Sequence, residues 1–357
     1  MIANLKKNNF WKNKKVFVTG HTGFKGGWLS LVLKFLGASV IGYSLKPLNK
    51  RNFFNEVRLS KYINKSIIGD IRDKKKLFKE IKKSKATIVF HLAAQALVRE
   101  SYRKPTETIE TNIMGTLNVL DCIKKIKSIK SSVIITSDKV YDVKKNKVFK
   151  ETDLLGGVDP YSASKVCCEH IFKAYINSFF EKNRRGTIAT ARAGNVIGGG
   201  DYSKDRLIPD IIRSVQSRKK ILLRNPKHVR PWQHVLDPVT GYINLAEKLY
   251  KKINKDNLNW NFGPDLPNCK PVDYIARKFS LATKSKIIII KEKEKLYKKE
   301  TTLLRLDNRK VKKLLNWYPK WSLDYSIKKI FEWHFNSQIK DKQKICLHQI
   351  EEYLSKN

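Results

Sequence analysis

The chain has 357 residues, and its 74 Lys and Arg against 32 Asp and Glu give a formal net charge of +42. This length allows one large domain or two coupled domains. No run of about 18 or more apolar residues is present, so no membrane-spanning helix is expected. The basic start, Met1 to Lys15, leads into a strand-like Val16–Thr19 and not into an apolar signal core, so a cytoplasmic location is the default expectation.

Cysteine usage and charge exclude several classes of protein. The five cysteines are scattered without a Cys-x-x-Cys pair, so they predict neither a disulfide framework nor a zinc site, and no metal is expected. Positive charge suits nucleic acid through counterion release. However, the lysines are spread over what read as solvated helix faces, such as Lys74–Lys76. We therefore expect no nucleic-acid partner, and the surplus charge is more suited to attracting an anionic substrate.

Short apolar runs alternate with helical stretches through the first half of the chain. The predicted elements are a strand at Val16–Thr19, a helix over Gly26–Leu36 closed by Gly37, and strands at Ser39–Gly42, Ser66–Ile68, Thr87–His91 and Val133–Thr136. This alternation predicts an α/β fold, a Rossmann-like doubly wound parallel sheet covered by helices on both faces. Sheets of this kind bind ligands at the carboxyl ends of their strands.

The pattern changes after Gly194, where glycines and prolines interrupt it. This change predicts a smaller C-terminal α/β substrate-binding domain. We assign residues 10–194, with returning elements near 233–262, to a dinucleotide-binding domain. Residues 195–232 and 263–335 are assigned to the substrate-binding domain, and the charged residues 336–357 to a C-terminal surface helix or tail.

The first chemical motif is the turn Gly20-His-Thr-Gly23-Phe-Lys-Gly26, which lies between the first strand and the first helix. Glycines allow the backbone to turn tightly and to approach a pyrophosphate, whose charge is met by free amides at the helix N-terminus. An isolated match to this pattern is often an ordinary turn. Its position in a β-α-β unit indicates dinucleotide binding.

The sequence leaves the nature of the dinucleotide open. An acid at the end of the second strand usually binds the ribose 2′-hydroxyl of NAD, but this region carries none. Ser44 could bond a 2′-hydroxyl, whereas Lys46 could meet the 2′-phosphate of NADP. Asp70, after the third strand, is either an acceptor for the adenine amine or a helix cap.

The second motif is Tyr161-x-x-x-Lys165, which places a phenol and an amine one helical turn apart. An ammonium and a positive nicotinamide ring both favour the phenolate of a tyrosine that otherwise titrates near pH ~10. This spacing also occurs by chance as a surface Tyr with a solvated Lys. Together with Ser137 upstream, it fits removal of an alcohol proton while hydride leaves for the ring.

The third motif is Thr136-Ser137-Asp138-Lys139, at the end of a predicted buried strand. In an arbitrary chain, Asp138 and Lys139 would read as a polar loop. Here they follow the hydroxyl of Ser137 at the carboxyl end of a strand, where a functional role is favoured. An additional acid and amine beside a redox set suggest elimination of water.

Several blocks of sequence carry a family resemblance over about Phe10 to Phe335. They are Gly20–Gly26, His91–Gln95, Thr111–Thr116, Thr136–Lys139, Asp159–Lys165, Ala191–Asp201, Asp205–Pro209 and Arg230–Val235. On these blocks the chain resembles the extended short-chain dehydrogenases/reductases of the NAD-dependent sugar epimerase/dehydratase family. The blocks Ala191–Asp201 and Arg230–Val235 and the Asp138-Lys139 pair are the more specific part of the likeness, and they resemble the 4,6-dehydratases that act on CDP-glucose. Related dTDP-glucose and GDP-mannose dehydratases carry a glutamate near the position of Lys139.

The resemblance implies a three-stage reaction on CDP-glucose with internally recycled NAD. Tyr161, with Lys165 and Ser137, would take the C4 hydroxyl proton as hydride leaves C4. Lys139 is then the implied base at C5 and Asp138 the implied acid at the departing C6 hydroxyl, before hydride returns to C6. An adjacent Asp-Lys ion pair opposes both protonation states, so this division is a hypothesis. The resemblance also implies a homodimer and a role in deoxysugar biosynthesis, of the kind that supplies O-antigen lipopolysaccharide.

Further binding residues are implied only by the same resemblance. For the cofactor they are Gly20, Thr22, Gly23, Phe24, Lys25, Gly26, Ser44, Asp70, Ile71, Leu92, Ala93, Ala94, Asn112, Tyr161 and Lys165. For the substrate they are Gln95, Asn195, Arg206, Arg230, Gln233 and His234, with the arginines suited to diphosphate oxygens. The alternatives to substrate binding are a surface ion pair for Arg206 and a structural role for His234.

Three departures from the family and three alternative functions stay open. Val140 and Asp142 replace residues of similar size or charge, while Lys46 keeps NADP possible beside NAD. The first alternative is another nucleotide-sugar enzyme of the same fold, either a different 4,6-dehydratase or a 4-epimerase. A 4-epimerase would need Tyr161 and Lys165 but not the Asp138-Lys139 pair. A dinucleotide-sensing protein without catalysis and a basic RNA-binding protein on the same fold are the alternatives from other classes.

Overall fold

The computed structural model describes residues 9–47, 49–143, 147–180, 187–223, 225–252, 258–289, 304–335 and 340–355. The strands in these residues are β1 Lys15–Thr19, β2 Ser39–Ser44, β3 Lys65–Ile68, β4 Ile88–His91, β5 Ser131–Ile135, β6 Val148–Phe149, β7 Ile188–Ala193, β8 Val196–Ile197, β9 Ile221–Leu223, β10 Val229–Pro231, β11 Gln233–His234, β12 Asn259–Phe262, β13 Cys269–Pro271, β14 Ile287–Ile289 and β15 Arg305–Leu306.

Seven of these strands form one sheet in the order β3-β2-β1-β4-β5-β7-β12, and every pairing in it is parallel. Every residue of β4, β5 and β7 is buried, as expected for central strands with helices on both faces. The order reverses between β1 and β4, where the crevice of a doubly wound sheet lies. The predicted fold class and the five predicted strands are confirmed.

Helices connect and cover these strands. They are α1 Phe24–Phe35, α2 Phe53–Glu56, α3 Leu59–Tyr62, α4 Lys74–Ser84, α5 Val98–Arg103, α6 Pro105–Ile109, α7 Gly115–Lys125, α8 Pro160–Phe179, α9 Leu207–Gln216, α10 Leu236–Tyr250, α11 Val272–Thr283, α12 Arg309–Leu315, α13 Leu323–Phe335 and α14 Lys342–Ser355. A π-helical turn, Glu110–Met114, joins α6 to α7, and 3₁₀ turns occupy Asn9–Trp11, Asp138–Val140 and Leu266–Asn268.

A second hydrophobic cluster lies apart from the clusters that cover the large sheet. It is built mainly from α9, α11 and α13 with two short strands, and includes Ile211, Leu223, Phe279 and Ile330. Small two-stranded pairs, such as β9 with β14, replace the long sheet here. In contrast, β12 returns to the edge of the large sheet beside β7. The proposed domain boundaries remain a prediction.

The C-terminal segment forms a helix, α14, whose inner face is buried. Cys346, Ile350 and Tyr353 belong to the same hydrophobic cluster as Trp28 of α1. The Tyr353 hydroxyl also donates to Asp237 Oδ1 over 2.6 Å, at the start of α10. The segment therefore packs into the core instead of lying on the surface, because its apolar residues recur at helical spacing. Residues 336–339 and 356–357 of the predicted tail lie outside the described residues.

The helices named above differ in length from four to 20 residues. Among those in the described ranges, none combines the length and the apolar character needed to cross a membrane.

Four histidines are buried in this fold as neutral groups. Burial lowers the pKa of each below that of an ordinary imidazole, to about 4 for His21 and to about 3 for His91, His234 and His334. The unfolded chain takes up protons on these rings below pH ~6.5, whereas the folded chain does not until much lower pH. Their contribution to stability is thus complete above that pH and is lost as the pH falls.

We predict that the free energy of unfolding in urea falls by several kcal/mol between pH ~7.5 and ~5.5, at roughly 1.4 kcal/mol for each buried histidine. Asp237 offsets a small part, because burial raises its pKa to about 6 and the folded chain gains a proton there. His334→Gln should reduce this fall in the free energy of unfolding by roughly 1.4 kcal/mol. The matched change at the exposed His170 should leave it unaltered. Equal effects of the two substitutions would contradict this account.

Candidate functional site

The glycine turn after β1 brings three backbone segments into contact. Gly20 has φ +78°, and a Cβ on it would lie 2.7 Å from the backbone nitrogen of Ala93, which follows β4. A Cβ on Gly26 would lie 2.1 Å from the Gly20 carbonyl oxygen. Gly23 occupies the N-cap position of α1 and supplies no side chain to its first amides. The first amides of α1 therefore have no side-chain cap, and a helix N-terminus of this kind suits a pyrophosphate.

The end of β2 presents hydroxyl groups where an acid was absent from the sequence. Thr22 donates to the Leu45 carbonyl oxygen over 2.9 Å and lies 2.8 Å from Ser44 Oγ. Since a hydroxyl has one proton, Ser44 donates to Thr22 and keeps its lone pairs to accept a hydrogen bond. Lys46 is exposed beyond them. The arrangement suits a group that can donate, as a ribose hydroxyl does.

Asp70 is engaged by its own neighbour. Arg72 Nε lies 3.1 and 3.0 Å from the two Asp70 oxygens, and these hydrogen bonds hold the pKa of the carboxyl below its usual range. The alternative of Asp70 as a helix cap is wrong, because Asp73 caps α4 by accepting from the Lys76 amide over 3.0 Å. Ile71 is buried against α7, where a Cβ on Gly115 would lie 2.7 Å from Ile71 Cγ2.

The loop after β4 is held by the buried side chain of Asn112. Its amide donates to the Gln95 carbonyl oxygen over 3.0 Å and to Ser164 Oγ over 2.9 Å, and its oxygen accepts from the Gln95 amide over 2.8 Å. The Leu92 and Ala93 amides donate to Thr19 Oγ1 over 3.1 and 3.2 Å. Asn112 thereby ties the predicted cofactor loop 92–94 to α8.

Helix α8 begins where its sequence dictates. Asp159 is its N-cap and accepts from the Ser162 amide over 2.9 Å, and Pro160 occupies the first turn. This start places Tyr161 and Lys165 on one face, directed at the carboxyl end of β5, where Lys165 Nζ lies 3.4 Å from the Ile135 carbonyl oxygen. Both side chains are almost fully buried.

Burial controls the protonation of this pair. It raises the pKa of Tyr161 to about 12, although a hydrogen bond with Ser137 opposes it. Burial also lowers the pKa of the Lys165 amine, against the attraction of Cys168 and Glu169. Desolvation is therefore the dominant influence on both groups in the chain by itself. A positive charge beside Tyr161 is needed to favour its phenolate.

The Asp138 carboxyl lies at the centre of the site, in a 3₁₀ turn capped by Ser137. Burial raises its pKa, against the opposing effects of Lys139, a hydrogen bond from Ser137 and the nearby Arg230. Ser137 Oγ donates to Asp138 Oδ1 over 3.1 Å, while Oδ2 has no hydrogen-bond partner among the described residues. A buried, half-satisfied carboxyl of raised pKa has the properties of a proton donor. Lys139 is half-buried beside it.

Lys25 of the glycine turn also reaches this centre. Burial lowers its pKa to about 8, together with repulsion from Arg206 and Lys165 and against attraction by Asp138. Its ammonium lies 5.9 Å from the ring of Tyr242, a buried phenol on α10 that the sequence reasoning missed. No motif marks Tyr242, since only tertiary packing brings α10 to the site.

The predicted substrate residues divide into two groups. Arg230 is buried near Asp138 and donates to the Val229 carbonyl oxygen over 3.0 Å, and Arg206 pairs with Asp201 over 3.3 Å. Asn195, just after β7, accepts from the Gln233 amide through its carbonyl over 3.1 Å.

The other predicted substrate residues are turned towards the protein. Gln95 Nε2 donates to Thr108 over 2.9 Å, and Gln233 Nε2 to the Phe262 carbonyl oxygen over 2.9 Å. The His234 ring is completely buried between the rings of Trp28 and Trp321. In this structure His234 packs in the core and does not face the crevice.

Across the described part of the chain, no group of three or more His, Cys, Asp and Glu side chains is placed to hold a metal ion.

The fold and the Ser137, Tyr161 and Lys165 set define an extended short-chain dehydrogenase/reductase. The sequence profile of the family described as GDP-mannose 4,6 dehydratase matches residues 17–330, and the chain belongs to this family. It is 46% identical to the CDP-glucose 4,6-dehydratase of Salmonella typhimurium over 332 residues, covering 91% of this chain and 92% of that protein.

Two solved structures show the same fold. The UDP-glucose 4-epimerase of Thermotoga maritima with UDP-glucose has a TM-score of 0.78 and 22% identity, over 91% of this chain and 99% of that one. The dTDP-glucose 4,6-dehydratase of Bacillus anthracis in complex with NAD has a TM-score of 0.75 and 21% identity, over 91% and 98%.

The glycine contacts give a graded prediction for dinucleotide binding. Gly26→Ala forces a Cβ to within 2.1 Å of a backbone oxygen, whereas Gly23→Ala places one at 3.3 Å from the same atom. We expect Gly26→Ala to weaken binding by about tenfold or more, equal to ~1.4 kcal/mol, and Gly23→Ala by a smaller factor. Calorimetric titration, with circular dichroism to verify folding, measures both. Equal losses would show that the approach of α1 to Gly20 does not set the affinity.

Proposed function

We propose that this chain is a CDP-glucose 4,6-dehydratase, a hydro-lyase that converts CDP-D-glucose to CDP-4-dehydro-6-deoxy-D-glucose and water. The observation that carries the proposal is the placement of Asp138 and Lys139 beside the Tyr161 and Lys165 pair. The 46% identity to the Salmonella enzyme supports the choice of sugar nucleotide. We assign the catalytic roles to Ser137, Asp138, Lys139, Tyr161 and Lys165.

The redox half of the reaction uses α8 and the end of β5. NAD held at the glycine turn would supply an acceptor for the C4 hydride and a donor of the same hydride to C6. Tyr161 removes the proton of the C4 hydroxyl, and the Ser137 hydroxyl holds that oxygen in place. Since burial raises the pKa of Tyr161 to about 12, Lys165 and the positive nicotinamide together must stabilise its phenolate.

The dehydration half uses the 3₁₀ turn after β5. The C4 ketone acidifies the C5 proton, which the Lys139 amine removes as the C5–C6 double bond forms. Asp138 donates its proton to the C6 hydroxyl, which departs as water, and the Lys139 ammonium returns its proton to C5 as hydride reaches C6. Burial keeps the pKa of Asp138 raised, so that the carboxyl can hold this proton until it is needed.

The site residues also support NAD over NADP. Ser44 presents lone pairs towards the end of β2, and these accept from a 2′-hydroxyl but gain nothing from a 2′-phosphate. We propose that Gly20 to Gly26 hold the pyrophosphate, that Ser44 and Asp70 flank the adenosine, and that the loop 92–94 lies along the nicotinamide half. Lys46, exposed nearby, is then not a phosphate ligand.

For the substrate diphosphate we propose Arg230 and Arg206, whose guanidinium groups lie near the catalytic centre and match phosphate oxygens. Asn195 completes the polar lining in this proposal, and Gln95 joins it once its side-chain amide leaves Thr108. The proposed contacts of Gln233 and His234 require a change from their buried positions.

The assembly and cellular role are proposals of the same kind. We propose a cytoplasmic homodimer that serves deoxysugar biosynthesis, including that of O-antigen lipopolysaccharide. The edge formed by α6 to α8 supports pairing, because the apolar residues Ile109, Met114 and Phe179 are 45%, 46% and 50% exposed there. Sedimentation velocity measures the mass, and a monomer at all concentrations would overturn the dimer.

The proposed activity is tested by incubating the pure protein with CDP-, dTDP-, UDP- and GDP-hexoses, each with added NAD, added NADP or neither. We expect a 4-keto-6-deoxy product from CDP-glucose, with NAD and not NADP restoring activity to cofactor-free protein. A C4-epimerised sugar that retains its C6 oxygen would establish an epimerase instead. Binding of dinucleotide without turnover of any sugar would favour a sensing role.

The division of labour is tested with two near-isosteric variants, Asp138→Asn and Lys139→Met. We expect each to reduce turnover by about 10² or more, as for loss of a general acid or base. Only Asp138→Asn should retain exchange of the C5 hydrogen with deuterated solvent in the 4-keto sugar, measured by mass spectrometry. Exchange that persists in Lys139→Met removes Lys139 from the role of base.

A further inference from the structure

A buried ion pair lies directly behind the proposed catalytic groups and is not part of the proposed chemistry. Glu169 of α8 and Arg192 of β7 are each 2% exposed. Arg192 Nε lies 2.9 Å from Glu169 Oε1, and its terminal NH2 group lies 2.9 Å from Oε2. The two side chains therefore form a bidentate pair, the geometry that fixes orientation most strictly.

The carboxylate of Glu169 makes three further hydrogen bonds. Thr136 Oγ1 donates to Oε1 over 2.6 Å, and Thr190 Oγ1 and Asn259 Nδ2 donate to Oε2 over 2.9 and 2.7 Å. Burial opposes ionisation of Glu169, but Arg192 and these hydrogen bonds outweigh it, so that its pKa is lowered. The group is thus a fixed anion, saturated with donors from β5, β7 and β12.

The guanidinium of Arg192 has a second set of partners on the opposite side. Its NH1 group donates to the Tyr141 hydroxyl over 2.8 Å and to the Glu151 carbonyl oxygen over 3.2 Å. The Tyr141 hydroxyl itself donates a hydrogen bond to Asn261 Oδ1 over 2.7 Å. The Tyr141 phenol is completely buried, and its ring faces the guanidinium at 5.1 Å.

These partners stand next to the proposed catalytic groups in sequence and in space. Glu169 is one helical turn beyond Lys165 and two turns beyond Tyr161, on the same face of α8. Thr136 immediately precedes Ser137. Tyr141 directly follows the 3₁₀ turn that carries Asp138 and Lys139. The pair therefore connects the helix of the redox half, through Thr136, to Ser137, and through Tyr141, to the dehydration turn.

We propose that Glu169 and Arg192 form a positioning pair that acts through two separate side chains. Thr136 transmits its effect to the redox half of the reaction and Tyr141 to the dehydration half. This inference rests on the proposed function, because it concerns the two halves of that reaction. The pair contacts neither the sugar nor the nicotinamide. It sets the distance between Tyr161 on α8 and Asp138 on the turn after β5.

The test substitutes Thr136 and Tyr141 and leaves the ion pair intact, because removing one member of a buried ion pair leaves an uncompensated charge that disturbs folding. Thr136→Val and Tyr141→Phe each delete one hydroxyl and keep the side-chain shape. Tyr175→Phe is the matched control. Tyr175 lies on α8, as Glu169 does, but its hydroxyl donates to Asp121 over 2.8 Å on the outer surface. All three variants are compared with the wild type in rapid mixing with CDP-glucose.

Two signals separate the steps. The absorbance of the reduced nicotinamide reports C4 oxidation, and release of the 4-keto-6-deoxy sugar reports elimination with hydride return. We expect Tyr141→Phe to slow product release by about tenfold or more while C4 oxidation keeps its rate, so that reduced nicotinamide accumulates. Thr136→Val should slow C4 oxidation by a similar factor without accumulation. The KM for CDP-glucose should stay within about twofold of the wild type, since an interaction confined to the transition state lowers kcat alone.

The outcomes separate this proposal from the one it rests on. If the wild type yields no 4-keto-6-deoxy product from CDP-glucose, both proposals fail. If the wild type is active and Thr136→Val and Tyr141→Phe slow both steps equally, or match Tyr175→Phe, the pair is merely structural and the positioning role is overturned. A lower thermal midpoint with unchanged rate constants for both steps also overturns it.

Discussion

The removal of ionisable side chains from water, at the carboxyl edge of a parallel sheet, is the constraint on which the site depends. Asp138, Tyr161 and Lys165 are at most 8% exposed, and burial is the largest influence on the pKa of each. Desolvation favours the neutral form of every one of them. Burial therefore raises the pKa of the Asp138 carboxyl and the Tyr161 phenol and lowers that of the Lys165 amine.

Such burial is costly unless the surrounding backbone is fixed. The fold fixes it by close packing where the strand order reverses, between β1 and β4. The turn at Gly20 touches the backbone after β4, and α1 touches the turn at Gly26. Asn112 fastens the loop after β4 to α8 at the same level. Each of these hydrogen bonds replaces one that the buried group would otherwise make with water. The same burial that requires these hydrogen bonds also raises the pKa of Asp138.

Local patterns were enough to predict the parallel sheet, the glycine turn and the Tyr161 and Lys165 pair, because each depends on spacing within a single strand or helix. The missed features depend on residues far apart in sequence. Glu169 meets Arg192, Thr136 and Asn259 only after β5, β7 and β12 are aligned, and no spacing rule marks that meeting. His234 was expected at the substrate for its place in a motif, but the motif does not reveal which face of the backbone turns to the core. The inner face of α14 was misjudged because its charge outweighed its apolar periodicity.

The adjacency of Asp138 and Lys139 raised a conflict in the sequence, since an ion pair would leave neither an acid nor a base. The structure reduces that conflict by treating the neighbours differently. Asp138 is 3% exposed and Lys139 is only half-buried, so the carboxyl bears most of the desolvation. Desolvation therefore raises the pKa of the Asp138 carboxyl, against the opposing effect of the Lys139 charge. Unequal burial of two consecutive residues thus allows the carboxyl to have a raised pKa although its neighbour is a lysine.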